Sequence, residues 1–183
     1  MGKIESINKS RKEFTCSKCR KIIPKGSPYL RGVLNFHPDI IRCTSCGLKS
    51  YEVTTSDYIQ QVGAIVEDWQ ETYSAEDYQS IADELTSIKD DLQDRLDSMP
   101  EQLQYSETGE LLQERIDGLD EAVNQLEQID EDTLKQEVID ERDDLSEDTD
   151  WDTIPDDLQD ELYTEYDEKL SEAINEALGD IPM

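Results

Sequence analysis

Two pairs of cysteines, Cys16/Cys19 and Cys43/Cys46, constrain the fold of this 183-residue chain more than any other feature. Thiolates three residues apart in a CxxC spacing converge on one tetrahedral ion at bond lengths of about 2.3 Å, and a second such pair closes a shell of four sulfurs. The spacing therefore predicts that residues 1–50 fold around a single point, with Cys16, Cys19, Cys43 and Cys46 as ligands. A catalytic ion keeps one position open for water and takes His or carboxylate ligands, whereas four thiolates leave none open. One structural zinc per chain is the expected cofactor, and iron is the other metal that suits four thiolates.

Disulfides and four ordinary buried thiols are the competing readings of the same cysteines. No charged segment followed by an apolar one marks a secretory leader, and no apolar run approaches the length of a membrane span. The chain is expected to be neither secreted nor membrane-bound, and disulfides lose support without an oxidising compartment. His37, the one histidine, lies between the pairs and is the alternative ligand, although a surface or hydrogen-bonding role suits it better.

The 23 residues from Arg20 to Arg42 suit a β-hairpin set between two knuckles. Pro24-Lys25-Gly26-Ser27-Pro28 is a turn, with Ile22 and Ile23 before it and Tyr29, Leu30, Val33 and Leu34 after it. Short strands are expected near 12–15, 21–23, 29–35 and 39–42, and the second knuckle near the start of a short helix. This is a small β-rich head of zinc-ribbon or treble-clef layout. So small a unit buries too little apolar surface to fold unaided, so metal binding and folding are expected to be coupled.

Charge divides the chain. Residues 1–49 hold eleven Lys and Arg against three acids, a balance of +8, and the remainder carries −37 of the total −29. Lys12, Lys18, Arg20, Lys21, Lys25, Arg31 and Arg42 are candidate contacts to DNA, RNA or a protein partner through residues 1–50. Phe14, Tyr29 and Phe36, interleaved with them, add faces on which bases stack. The plainer reading is that these charges keep a small domain in solution or dock it on the acidic body. Carboxylates this dense repel one another at low ionic strength. The composition looks like that of proteins from salt-in halophiles, where a Debye length of about 3 Å in molar salt screens the surface.

The acidic remainder is patterned rather than disordered, and it predicts a mainly α body, a helical hairpin or coiled-coil bundle. Ile59, Val62, Ile65, Val66, Trp69 and Tyr73 mark one face of a helix from near Ser56. Ser74 with Asp77 resembles a capping box for a second helix, which carries Tyr78, Ile81, Leu85, Ile88, Leu92, Leu96 and Met99 and is stopped by Pro100. Leu112, Ile116, Leu119, Val123 and Leu126 follow in alternating four- and three-residue steps, the a/d spacing of a third helix. The short connection at 100–107 folds the second and third helices into an antiparallel hairpin. Leu134, Val138, Ile139 and Leu145 suit a weaker short helix, and Glu147-Asp148-Thr149-Asp150 reads as a solvated linker. Thr153 as cap and Pro155 in the first turn open a last helix bearing Leu158, Leu162, Tyr166, Leu170, Ile174 and Leu178, ended by Gly179. Three domains are expected: 1–50, 51–146 and 147–183. The narrow apolar stripes of 56–130 and 153–178 are expected to meet each other, the head, a protein partner or a second copy, so a homodimer stays open.

No phosphate-binding loop, dinucleotide glycine motif or nucleophile elbow is present. Carboxylate pairs such as Asp90/Asp94 and Glu110/Glu114 are expected by chance among 46 acids, so a non-enzyme is the expectation.

The run Cys16-Ser-Lys-Cys19-Arg-Lys-Ile-Ile-Pro-Lys-Gly26-Ser-Pro-Tyr29 is similar to the opening of small treble-clef fingers, including those of poly(ADP-ribose) polymerase type. Those fingers use a histidine as third ligand where this chain has Cys43, so recognition of DNA breaks does not carry over. The whole layout, a CxxC head before acidic helices such as Leu111-Leu-Gln-Glu-Arg-Ile-Asp-Gly-Leu-Asp, resembles uncharacterised proteins of haloarchaeal viruses and tailed phages. That resemblance implies a viral or proviral origin, and a place in the host cytoplasm or on the virion. Together these features predict a zinc-stabilised adaptor. A protein-only docking or virion-associated module is the alternative, and an acidic mimic of duplex DNA is the third reading.

Overall fold

A computed structural model describes residues 2–72, 78–142, 145, 149, 151, 154 and 156–182. Tyr73, the Ser74 and Asp77 capping box, Thr153, Pro155 and the linker residues Glu147, Asp148 and Asp150 lie outside the described residues. The chain divides into two compact units, Met1–Ala64 and Ile65–Met183.

The first unit is built on five short strands, β1 (Lys3–Ile7), β2 (Phe14–Thr15), β3 (Ile22–Ile23), β4 (Tyr29–Val33) and β5 (Ile40–Cys43). β4 is central, antiparallel to both β1 and β5, with Ile7 opposite Tyr29 and Tyr29 opposite Cys43. β2 and β3 form a separate antiparallel hairpin, pairing Phe14 with Ile23 and Thr15 with Ile22. Alternation sorts these pairs. Ile23 is buried and Phe14 half-buried, whereas Thr15 and Ile22 face solvent. The inward residues join Cys16, Tyr29, Ile7, Ile41, Cys43 and Cys46 in one apolar cluster, where the Phe14 and Tyr29 rings stand 4.9 Å apart.

β1 was not among the expected strands. Lys-Ile-Glu-Ser-Ile lies at a sheet edge with no regular apolar alternation, Ile4 and Ile7 falling on opposite faces, and only its main-chain pairing with β4 marks it as strand. The expected helix at the second knuckle is also absent. Cys43–Cys46 is followed by a single 3-10 turn, Ser50–Glu52, and the first α-helix, α1 (Asp57–Thr72), starts later. Compact packing runs past residue 50 because Leu48 and Val53 cover the backbone of β4. A Cβ at Gly32 would stand 2.9 Å from Val53 and 3.1 Å from Leu48, so only glycine admits that approach. Tyr58, Ile59 and Val62 of α1 are buried as well.

The second unit holds the end of α1 from Ile65 and helices α2 (Tyr78–Asp97), α3 (Glu101–Gln104), α4 (Glu107–Glu127), α5 (Glu131–Asp140) and α6 (Asp156–Gly179). α2 and α4 form the expected hairpin, burying Ile81, Leu85, Ile88, Leu92 and Leu96 against Ile116, Leu119, Val123 and Leu126. Full burial of one such side chain contributes about 2 kcal/mol. Pro100 ends no helix directly. α2 stops at Asp97, and Pro100 instead opens the one-turn α3.

α6 packs on both α4 and α5, and its Leu162, Tyr166, Leu170, Ile174 and Leu178 are all buried. α4 therefore uses two faces. The second carries small residues, Gly118 and Ala122, and a Cβ at Gly118 would fall 2.3 Å from Pro182 of the carboxyl-terminal segment. The buried residues named for α2, α4 and α6 are thus covered within the unit.

Four of the six cations of this unit sit at helix seams. Lys89 of α2 reaches Asp120 of α4 at 2.7 Å, and Lys169 of α6 reaches Glu141 beyond α5 at 2.8 Å. Arg142 meets Glu165 and Glu161 of α6 at 3.0 and 3.3 Å. Lys135 of α5 stands over the Tyr166 ring. Such half-exposed pairs are individually worth about 0–1 kcal/mol, and they place positive charge where acidic helices would otherwise repel. Among the described residues, no helix is long and apolar enough to cross a membrane.

Candidate metal centre

Each CxxC pair sits in a tight turn at the end of a strand, and the two turns share one backbone device. After the first pair, Arg20 takes φ 61°, and after the second, Gly47 takes φ 65°. The left-handed residue swings the chain away once both thiols have been delivered. Hydrogen bonds close each turn, from the Arg20 N–H to the Cys16 carbonyl at 3.0 Å and from the Cys46 N–H to the Cys43 carbonyl at 3.1 Å. Glycine adopts this conformation freely, whereas a residue with a Cβ is strained in it by about 1–2 kcal/mol.

The turns bring all four thiol sulfurs within 4.8 Å of one another. Cys19 Sγ and Cys43 Sγ are 3.8 Å apart. Four sulfurs held at ~2.3 Å from a common ion stand about 3.8 Å apart along each tetrahedral edge, so the separation fits one ion and is far from a disulfide. All four cysteines are free thiols. Cys16 is buried, Cys43 and Cys46 are half-buried, and Cys19 is exposed.

Main-chain dipoles prepare the site. Burial acts to raise the Cys16 thiol, but the N–H groups of Cys19, Cys43 and Lys18 outweigh it and bring it down to about 6. The Cys43 N–H lies 3.4 Å from Cys16 Sγ. Cys46 is pushed up to about 12 by hydrogen bonds from its thiol to Cys43 and Cys19, with burial adding to them. The described residues hold no other such gathering of metal-ligating side chains, and His37 lies at the β4–β5 tip, outside the quartet.

A polar brace lies beside the quartet. Arg42, next to Cys43, donates to Ser17 Oγ of the first knuckle and to Glu52 of the 3-10 turn. Ser17 also donates through its N–H and Oγ to the Ile41 carbonyl, each at 2.8 Å. The brace was not anticipated. Its only signal in the sequence is a single acid, Glu52, just past the basic segment.

The seven basic candidates fall into two groups. Arg31 is held by Asp39 at 2.7 Å and faces Glu5 at 3.7 Å, and Arg42 is held by Glu52, so these two already serve internal partners. Lys12, Lys18, Arg20, Lys21 and Lys25 are exposed around the β2–β3 hairpin. Lys18, Arg20 and Lys21 lie on the first knuckle. Lys12 and Lys25 come together at the opposite end of the hairpin, where the buried Ser10 joins the two loops. Its Oγ donates to the Pro24 carbonyl at 2.8 Å and accepts from the Gly26 N–H at 2.9 Å. Phe36 does not accompany them. It is fully exposed at the β4–β5 tip, at the far end of β4 from Cys43.

Comparison with protein-family models, curated proteins and solved structures gave no match to this chain.

Proposed function

We propose that this protein is a non-enzymatic adaptor. One structural zinc ion on Cys16, Cys19, Cys43 and Cys46 holds together a basic head that contacts nucleic acid or a nucleoprotein, and the acidic helices contact protein. Four convergent thiolates suit a closed structural zinc site, in which the ion supplies folding energy.

The observation that carries the functional half is Arg20. The equivalent position of the second knuckle is glycine, and the first knuckle accepts the strain of a left-handed arginine whose charge stands in solvent beside the metal. Strain kept at an exposed, charged position supports a binding role. Lys18 and Lys21 flank it, and Lys12 and Lys25 extend the same charge along the hairpin. Arg31 and Arg42 serve as braces in this reading.

The test is binding of DNA and RNA oligonucleotides by the full chain across a potassium chloride series, beside Lys18→Gln/Arg20→Gln/Lys21→Gln/Lys25→Gln. The parent is expected to bind, and the variant to lose more than tenfold in affinity. The variant's dependence on log salt should be shallower by about 0.9 for each lost duplex phosphate contact. Equal binding by parent and variant would overturn the assignment, and absence of binding at every salt would leave a protein-only docking module.

A further inference from the structure

The turn between α2 and α4 is built more rigidly than a connection requires. Gln104 points inward, and its side-chain amide donates to the Leu96 and Met99 carbonyls at 3.1 Å each, closing the end of α2. Its backbone lies flat on α4 at Gly109, where a Cβ would fall 2.1 Å from the Gln104 carbonyl oxygen. Ser106 closes the other side, its Oγ donating to the Leu103 carbonyl at 2.6 Å. With Gln104 pinned, its two neighbours are turned out. Leu103 is 52% exposed and Tyr105 79% exposed.

Around them stand Asp97, Glu101, Glu107 and Glu110, and no lysine or arginine occurs between Arg95 and Arg115. Two apolar anchors on a fixed turn with an acidic rim have the anatomy of an interface core. Charge selects the occupant. The residues after 49 carry −37, so this end of one helical body repels that of another, whereas a cationic protein segment is drawn to it.

The geometry points to the α2–α4 turn as the docking surface for a basic protein segment that carries apolar side chains, with Leu103 and Tyr105 as its anchors. The inference rests on the protein-contacting role of the acidic helices and names where that contact is made.

The full chain is titrated, at ~0.15 M salt where the Debye length is about 8 Å, with a synthetic amphipathic lysine–leucine peptide and a lysine–serine peptide of equal charge. The same titration is made with Leu103→Ser/Tyr105→Ser. Both substituted side chains are exposed, and an unchanged thermal melt verifies the fold. The parent is expected to prefer the leucine peptide at least tenfold, and the double variant to lose that preference. Equal binding of the two peptides by the parent, or a preference that survives in the variant, overturns this surface alone. Failure of both peptides to bind overturns it together with the protein-contacting role of the helices.

Discussion

Arg42 and Glu52 form an ion pair that ties the second knuckle to the 3-10 turn, and the same guanidinium reaches Ser17 on the first knuckle. Glu52 also accepts the Lys49 N–H at 3.0 Å. Burial works against the Glu52 charge, yet the Lys49 N–H and the Arg42 guanidinium outweigh it and hold the carboxyl below its ordinary range. The pair thus links both halves of the cysteine quartet to the residues that cover β4.

Glu52→Gln keeps the shape of this brace and removes its charge. A charge-assisted hydrogen bond in a half-buried setting is worth about 1.5–3 kcal/mol. Urea unfolding of the metal-loaded chain, followed through the head's resonances, should show a loss of about 2 kcal/mol. An unchanged midpoint would mean that the pair is incidental to head stability.

Arg20→Gly separates strain from function. Glycine relieves about 1–2 kcal/mol of left-handed strain, and its greater freedom in the unfolded chain gives back about 0.5–1 kcal/mol. The variant should be as stable as the parent or more stable by up to about 1.5 kcal/mol, while binding nucleic acid more weakly. A destabilised variant would show that the Arg20 side chain itself holds the knuckle.

Gly109→Ala sets helix propensity against sterics. Alanine favours the helix by about 1 kcal/mol, but its methyl would meet the Gln104 carbonyl at 2.1 Å. Main chain cannot rotate aside as a side chain does, so a net loss of about 1–3 kcal/mol is expected in a thermal melt. A gain in stability would mean that α3 does not pack against α4.

Alkaline pH should open the helical unit. Burial raises Tyr78, and burial together with Glu131 raises Tyr166, both above the ordinary tyrosine value of 10.0. Glu141 raises Lys169 in the same direction, above 10.5. Groups raised in the folded state contribute stability that is complete below their unfolded values and is lost as pH rises through the folded ones. Helical ellipticity should hold to about pH 10 and fall above it, together with the appearance of tyrosinate absorbance. Full helicity after both buried tyrosines have ionised would contradict the packing described for α2, α5 and α6.

The sequence made legible whatever follows a regular period or spacing. Paired thiols announce the quartet, and the apolar steps of Ile81 to Leu96, Ile116 to Leu126 and Leu162 to Leu178 announce the helices that bury them. Features set by the approach of distant chain segments were hidden. β1 exists through its pairing with β4. The second face of α4 is made by the absence of side chain at Gly118, which leaves no apolar signal. Arg31 and Arg42 look like free cations until Asp39 and Glu52 are placed beside them. Phe36 looks interleaved with the basic residues in the sequence, but the register of β4 and β5 carries it to the other end of the sheet.

X-ray absorption at the metal edge of the purified chain tests the central claim most directly. The account predicts one zinc per chain surrounded by four sulfurs at about 2.3 Å. A shell containing nitrogen or oxygen, a metal other than zinc, or a chain purified without stoichiometric metal would contradict it.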